Sequence, residues 1–117
     1  MSALDKAVAE LDLKRDKDAA ERRTRQEAAS AFLKEFFEAD LALSTKLKAR
    51  GVQVAFDGKR ILLQKPEEGV YAEGMMIVVG EQGEIDVSGR SLGPVSAGDR
   101  EAKKKELIAE IISHFSL

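Results

Sequence analysis

Cysteine and tryptophan are absent from this 117-residue chain, and histidine occurs once, as His114. Without cysteine there can be no disulfide, no thiolate metal site and no thiol nucleophile. A single histidine leaves only carboxylates as further metal ligands, and no residue pattern identifies a nucleophile beside it. The sequence therefore predicts no catalytic residue, no metal and no cofactor, and the lack of cysteine fits a reducing compartment.

Long apolar runs are also missing. The longest is Met75–Val79, whereas a membrane-spanning helix needs about 20 apolar residues. The first ten residues include Asp5, Lys6 and Glu10 where a signal peptide would carry an apolar run. The formal net charge of −2 argues against a protein whose main task is to hold nucleic-acid phosphates. We expect a cytoplasmic protein that does not bind membranes.

Glycine and proline are confined to the middle of the chain, because all nine glycines and both prolines lie between Gly51 and Gly98. These residues mark turns and interrupt helices, so the chain divides into a helical start, a strand-and-turn middle and a helical end. The predicted class is α+β, with a long N-terminal helix, an antiparallel meander of about four strands and a C-terminal helix packed on the sheet.

The first helix is predicted to begin at Ser2, a residue type favoured as a helix cap. Residues 1–27 are rich in charge and are predicted to project from a compact domain formed by residues 28–117. Thr24 and Glu27 match a capping box, which would start a second helix after a break. A continuous helix is favoured over that alternative, since no glycine or proline supports the break.

Beyond the charged segment the helix becomes apolar. One stripe at helical spacing is expected to pack on the sheet: Phe32, Phe36, Ala39, Leu43 and Leu47. Basic residues follow, where they suit the negative end of a helix, and Gly51 supplies a left-handed stop. The sequence therefore predicts helix up to Gly51.

Apolar residues alternate after Gly51, which is typical of strands. The pair Asp57 and Gly58 predicts a two-residue type I′ hairpin that places Val54 opposite Ile61. This register keeps the apolar residues of both strands on one face of the sheet.

A second hairpin is predicted from strands at residues 70–79 and 84–88, with Val78 opposite Ile85. Residues 89–98 are predicted to be a connection without a strand. Asp99 or Ser96 would then cap the last helix, whose exposed side would carry the three lysines Lys103, Lys104 and Lys105.

Three polar groups are the candidates for chemistry. Glu67 and Glu68, with Glu73 nearby, could act as acid and base, although a solvated loop is the simpler interpretation. Arg90 follows a glycine in a loop that could hold an anion, but the loop matches no phosphate-binding motif. His114 is expected to have a structural or surface role in the last helical turn.

The apolar residues near the N-terminus have no place in the predicted compact domain. In a continuous helix Leu11 lies about 30 Å from Phe32, so the domain cannot cover it, whereas a partner chain could. The alternative is a disordered terminus. The sequence thus predicts a non-enzymatic, homo-oligomeric interaction or adaptor protein, with a dimer favoured and any other protein partner unknown. The predicted interface comprises Leu4, Val8, Leu11, Phe32, Phe36 and Leu43.

A nucleic-acid-associated protein is the alternative function. A dimer could align four arginines of each first helix into one basic stripe: Arg15, Arg22, Arg23 and Arg25. Aromatic residues among these bases, which would stack nucleotides, are missing. In element order alone the chain resembles prefoldin-type chaperone subunits and small YbaB-like nucleoid proteins, and no motif residue attaches a function to that resemblance.

Overall fold

The structure is a computed structural model that describes residues 2–66, 73–96 and 98–117. It begins with helix α1 (Ala3–Phe36), a π-helical turn (Phe37–Leu41) and a short helix α2 (Thr45–Ala49), and it ends with helix α3 (Arg100–Phe115). The strands β1 to β5 lie between them, at Gln53–Phe56, Arg60–Lys65, Glu73–Val79, Glu84–Val87 and Arg90–Pro94. The α+β class predicted from the sequence is confirmed.

The five strands form one antiparallel meander in the order β1-β2-β3-β4-β5. Alternate residues of the inner strands point to one face and are buried there: Ile61, Leu63, Met75, Ile77, Ile85 and Val87. Helices α1 and α3 cover this face with Leu33, Phe36 and Leu107, which belong to the same core cluster. The opposite face of the sheet carries no helix among the described residues.

Helix α1 begins as predicted and continues through Thr24. The Ser2 hydroxyl accepts a hydrogen bond from the amide of Asp5 at 3.1 Å, so Ser2 is the cap. The Thr24 hydroxyl donates to the carbonyl of Ala20 at 3.0 Å, which is a bond within a helix and not a capping interaction. The continuous helix is therefore the correct alternative.

The predicted continuation of this helix to Gly51 is wrong. The amide of Ala42 donates to the carbonyl of Phe37 at 2.8 Å, a step one residue wider than in an α-helix. The additional residue brings Leu41 into the core and leaves Leu43 71% exposed. Ala39 and Leu43 of the predicted stripe consequently face solvent, whereas its last member, Leu47, is buried.

Helix α2 restarts after this interruption at Ser44. The Ser44 hydroxyl accepts from the amide of Leu47 at 3.2 Å, which satisfies one of the free donors of the new helix. Gly51 adopts the predicted left-handed conformation, with φ of 75°, but it follows α2 and not α1.

The first hairpin differs from its predicted register by two residues. Val54 lies opposite Leu63, not Ile61, because the turn that joins the strands has Gly58 and Lys59 at its centre instead of Asp57 and Gly58, and the Asp57 amide donates to the Arg60 carbonyl at 3.2 Å. Asp57 closes this loop, with a carboxylate oxygen that accepts from the amide of Arg60 at 3.0 Å. A shift of two positions preserves the apolar face.

The second hairpin differs by one residue, which exchanges the faces of β3. Val79, not Val78, lies opposite Ile85. Met75 is therefore 3% exposed and Met76 38% exposed. All five residues of Met75–Val79 are apolar, so no alternation indicates which of them face the core. Positions 70–72 of the predicted strand lie outside the described residues.

The predicted connection at residues 89–98 is wrong over Arg90–Pro94, which forms β5. Ser88 and Gly89 join β4 to β5 in a two-residue turn with φ values of 49° and 89°. Two central residues at positive φ are what a type I′ turn requires, so this conformation occurs at Ser88 rather than at Asp57. Helix α3 then starts after Asp99, which holds the predicted cap position, but its side chain accepts from the Ser96 hydroxyl at 2.7 Å and makes no capping hydrogen bond to the helix.

Strand β5 also changes the environment of Lys103. This lysine was predicted on the exposed side of α3, but it is only 7% exposed because its aliphatic stem lies beside β5. Its ammonium group contacts the carbonyl of Leu92 and lies 3.2 Å from a carboxylate oxygen of Glu106. The prediction holds for Lys105, which is exposed.

Candidate functional site

Residues 3–24 of α1 project from the body of the molecule. They span about 33 Å at 1.5 Å per residue, and all of them are exposed. The helix first meets the body at the β3–β4 turn, where the Arg25 side chain donates to the carbonyl of Gln82 at 3.2 Å. Gln26 donates to the carbonyl of Glu81 at 2.7 Å in the same turn. The molecule consequently measures 69 × 35 × 20 Å.

The projecting segment carries an apolar stripe, which we call the N-terminal stripe: Leu4, Val8 and Leu11, exposed by 73%, 49% and 46%. Eighteen residues make five helical turns, so Leu11 lies in line with the buried Ala29, and Val8 with Gln26. The N-terminal stripe thus continues the side of α1 that packs on the sheet, beyond the point where the sheet ends.

Two of the six residues predicted for an oligomer interface belong to the chain's own core. Phe32 and Phe36 are 4% and 2% exposed, and their ring centroids are 6.4 Å apart. The sheet and α3 together are broad enough to cover both rings, so neither is available to a second chain. Phe32 and Phe36 drop out of the predicted interface, while Leu43 and the N-terminal stripe stay at the surface.

An apolar groove lies at the other end of α1, between the π-helical turn and α2 on one side and α3 on the other. We call it the α2–α3 groove. Its volume is about 440 Å³, and its walls are formed by Leu41, Leu47, Ile108, Ile111, Ile112 and Leu117. Ile112 is 46% exposed, so part of this apolar surface is open to solvent.

The rim of the α2–α3 groove is basic on the α2 side. Lys46 and Arg50 line it four residues apart, and no described carboxylate pairs with either of them. On the α3 side Asp40 lies 2.9 Å from the ammonium of Lys104. This hydrogen-bonded contact raises the pKa of Lys104, which therefore stays charged and neutralises Asp40. The free charge of the rim is thus positive.

The four arginines predicted to contact nucleic acid do not form one surface on a single chain. Arg25 is engaged with the β3–β4 turn, and Arg15 lies 3.9 Å from Asp12. Arg22 and Arg23 are exposed, but adjacent helical residues point about 100° apart. Alignment by a dimer is untested, and nucleic-acid binding stays a prediction.

The candidates for chemistry have structural explanations where the structure describes them. Arg90 forms an ion pair with Glu110, so the predicted anion loop is instead the β4–β5 turn anchored to α3. The exposed His114 ring packs edge-on against Phe115, with centroids 4.7 Å apart. Glu73 lies in β3, whereas Glu67 and Glu68 lie outside the described residues. Among described residues, no cluster of three or more metal-binding side chains occurs.

The α2–α3 groove was not found from the sequence. Its α2 wall exists because the helix stops at the π-helical turn and restarts at Ser44, and the capping preference of serine was the available signal. A continuous helix would instead have placed Leu47 on the same side as Phe36.

Comparison with known protein families, with curated proteins and with solved structures finds no match to this chain. The resemblance in element order noted above therefore adds no function. None of the helices in the described part of the chain is long and apolar enough to cross a membrane.

Proposed function

We propose that this protein is a non-enzymatic, homo-oligomeric interaction module whose docking element is the projecting part of α1. The observation that carries the proposal is the N-terminal stripe. It comprises three large apolar side chains on one side of a helix that its own domain does not cover.

The domain cannot fold back to cover this stripe. Leu11 and Ala29 are separated by about 27 Å of unbroken helix, which contains no glycine or proline to bend it. Most of the stability of helices in proteins comes from tertiary packing, so packing against another chain would also stabilise the projecting segment. A second copy supplies such a chain without any further component.

Light scattering on the full-length protein tests the proposal directly. We expect a mass that is a multiple of the 12.8-kDa chain and that falls toward one chain on dilution. The variant Leu11→Asp should lower the mass at concentrations where the native protein is assembled, because it places a charge in the N-terminal stripe.

Leu13→Asp is the matched control. Leu13 is 71% exposed on the same helix but points about 200° away from Leu11, so its substitution should leave the mass unchanged. A native protein that is monomeric at every soluble concentration would refute the proposal, as would equal loss of mass in both variants.

A further inference from the structure

We infer that the α2–α3 groove of a second copy receives the N-terminal stripe. This inference rests on the proposed function and names the surface that the projecting helix binds. The contact is a helix laid into an apolar groove, in which side chains at positions i, i+4 and i+7 serve as anchors. Leu4, Val8 and Leu11 have this spacing.

Both surfaces are apolar, and each has a side chain open to solvent. Leu11 and Ile112 are each 46% exposed, whereas Leu41, Leu47 and Ile111 in the groove lining are buried. Joining the two surfaces removes their exposed apolar area from water, which favours association.

Charge complementarity favours this pairing. Asp5 and Asp12 lie seven residues apart on the same edge of the N-terminal stripe, and Arg15 follows the stripe four residues after Leu11. Residues 44–50 contain three bases and no acid. Asp12 has an ion pair with Arg15, but both side chains are more than 60% exposed, so that contact is weak.

The position of the two surfaces requires two chains. The N-terminal stripe and the groove lie at opposite ends of α1, about 45 Å apart between Leu11 and Leu41. Two copies placed antiparallel would each give a stripe and receive one, and this reciprocal dimer covers both stripes and both grooves. A one-way contact would leave one stripe and one groove exposed, and further copies would add to them to form an open-ended filament.

The outer face of the sheet is the competing surface. Met76 and Leu62 lie opposite each other there, beside a smaller hollow of about 200 Å³. The basic residue that lines this hollow, Arg60, already binds Asp57 at 2.6 Å, so the described lining offers no free positive charge to an acidic segment. The α2–α3 groove fits the N-terminal stripe better, both in its volume and in its free positive charge.

Matched surface substitutions in the full-length chain separate the two surfaces. Ile112→Glu should reduce the assembled mass to one chain, whereas Met76→Glu, at a site of similar exposure, should leave it unchanged. Circular dichroism confirms that both variants keep the native helix and strand content. Loss of mass in Met76→Glu alone would overturn the inference.

Reversing the charges supplies a positive test. The double variant Lys46→Glu and Arg50→Glu should weaken self-association about tenfold at low salt, through like-charge repulsion with Asp5 and Asp12. Adding Asp5→Lys and Asp12→Lys to the same chain should restore it. No effect of the first pair, or no recovery with the second, would count against the groove.

The outcomes also distinguish this inference from the proposed function. If Leu11→Asp dissociates the protein and Ile112→Glu does not, the stripe binds elsewhere, the inference is overturned and the proposed function stands. The groove would then belong to another occupant, such as an apolar small molecule. If no variant changes the mass of a monomeric native protein, both proposals fail.

Discussion

Gly83 is the point at which α1 rests on the sheet. It lies in the β3–β4 turn with φ of 79°, and a Cβ added there would come within 2.6 Å of the Arg25 Cβ and 2.7 Å of its carbonyl carbon. Real Cβ atoms do not approach so closely, so the helix and the turn depend on the absence of a side chain. This contact fixes where the helix leaves the body.

We expect Gly83→Ala to destabilise the protein more than Gly89→Ala. Gly89 has a similar φ of 89° but open space around its Cα, so its alanine variant carries only the conformational cost. The clash with Arg25 should add about 1–3 kcal/mol for Gly83. Urea unfolding measures both losses, and equal values would mean that α1 does not rest on this turn.

Asp57 provides a residue whose charge state affects the first hairpin. The side-chain hydrogen bond from Arg60, together with the backbone hydrogen bond from Lys59, lowers the pKa of Asp57. A lowered pKa in the folded state means that the ionised carboxylate stabilises the fold above the unfolded value of about 3.9. This contribution is lost as the pH falls through the lower folded pKa.

Asp57→Asn should therefore lower the melting temperature at neutral pH, and its difference from the native protein should shrink on acidification below about pH 4. Asparagine keeps an oxygen that can accept the loop amides but cannot be charged. Thermal melts of both proteins across this range test the prediction. A difference that stays constant down to acid pH would show that the charge of Asp57 does not stabilise the loop.

Among the elements, the π-helical turn decides which residues after α1 are buried. We expect Phe36→Ala to cost about 3–5 kcal/mol, the usual range for a fully buried phenylalanine, whereas Leu43→Ala should change stability by less than about 0.5 kcal/mol. Their exposures are 2% and 71%. Chemical denaturation measures both changes in stability. A large loss of stability in Leu43→Ala would support the continuous α-helix predicted from the sequence.

The sequence was informative where a local rule applied. Ser2 and Gly51 were identified correctly, because a helix cap and a left-handed stop depend on one residue each. The order of elements followed from the distribution of glycine and proline. The exposed N-terminal stripe was also predictable, since a helix without breaks carries it beyond the domain.

The wrong predictions concern segments whose local sequence is compatible with more than one structure. Met75–Val79 is apolar throughout, so only the three-residue loop before Glu84 decides which side chains are buried. Arg90–Pro94 contains glycine and proline, yet it forms an edge strand, where proline is tolerated. The α2–α3 groove was missed because it depends on where the π-helical turn directs the chain.

At the scale of the whole molecule, α1 consists of a packed half and an unpacked half. We expect amides of residues 3–24 to exchange rapidly with deuterium in dilute solution, because no tertiary contact protects them. Amides around Leu33 should exchange slowly at every concentration. If the protein self-associates, protection near Val8 should rise with concentration. Equal protection of both halves in dilute solution would mean that the projecting half packs on its own chain.

The projecting helix also determines how the protein diffuses. The radius of gyration of the whole chain is 18.9 Å, whereas a compact chain of this length would have a radius of gyration of about 13 Å. Friction with the solvent increases with these dimensions, so even a single chain has the hydrodynamic radius of a larger globular protein. On a size-exclusion column calibrated with globular standards, a monomer would elute earlier than a globular protein of the same mass and could be mistaken for a dimer. Removal of the helix tip would reduce the apparent mass by more than the mass of the residues removed.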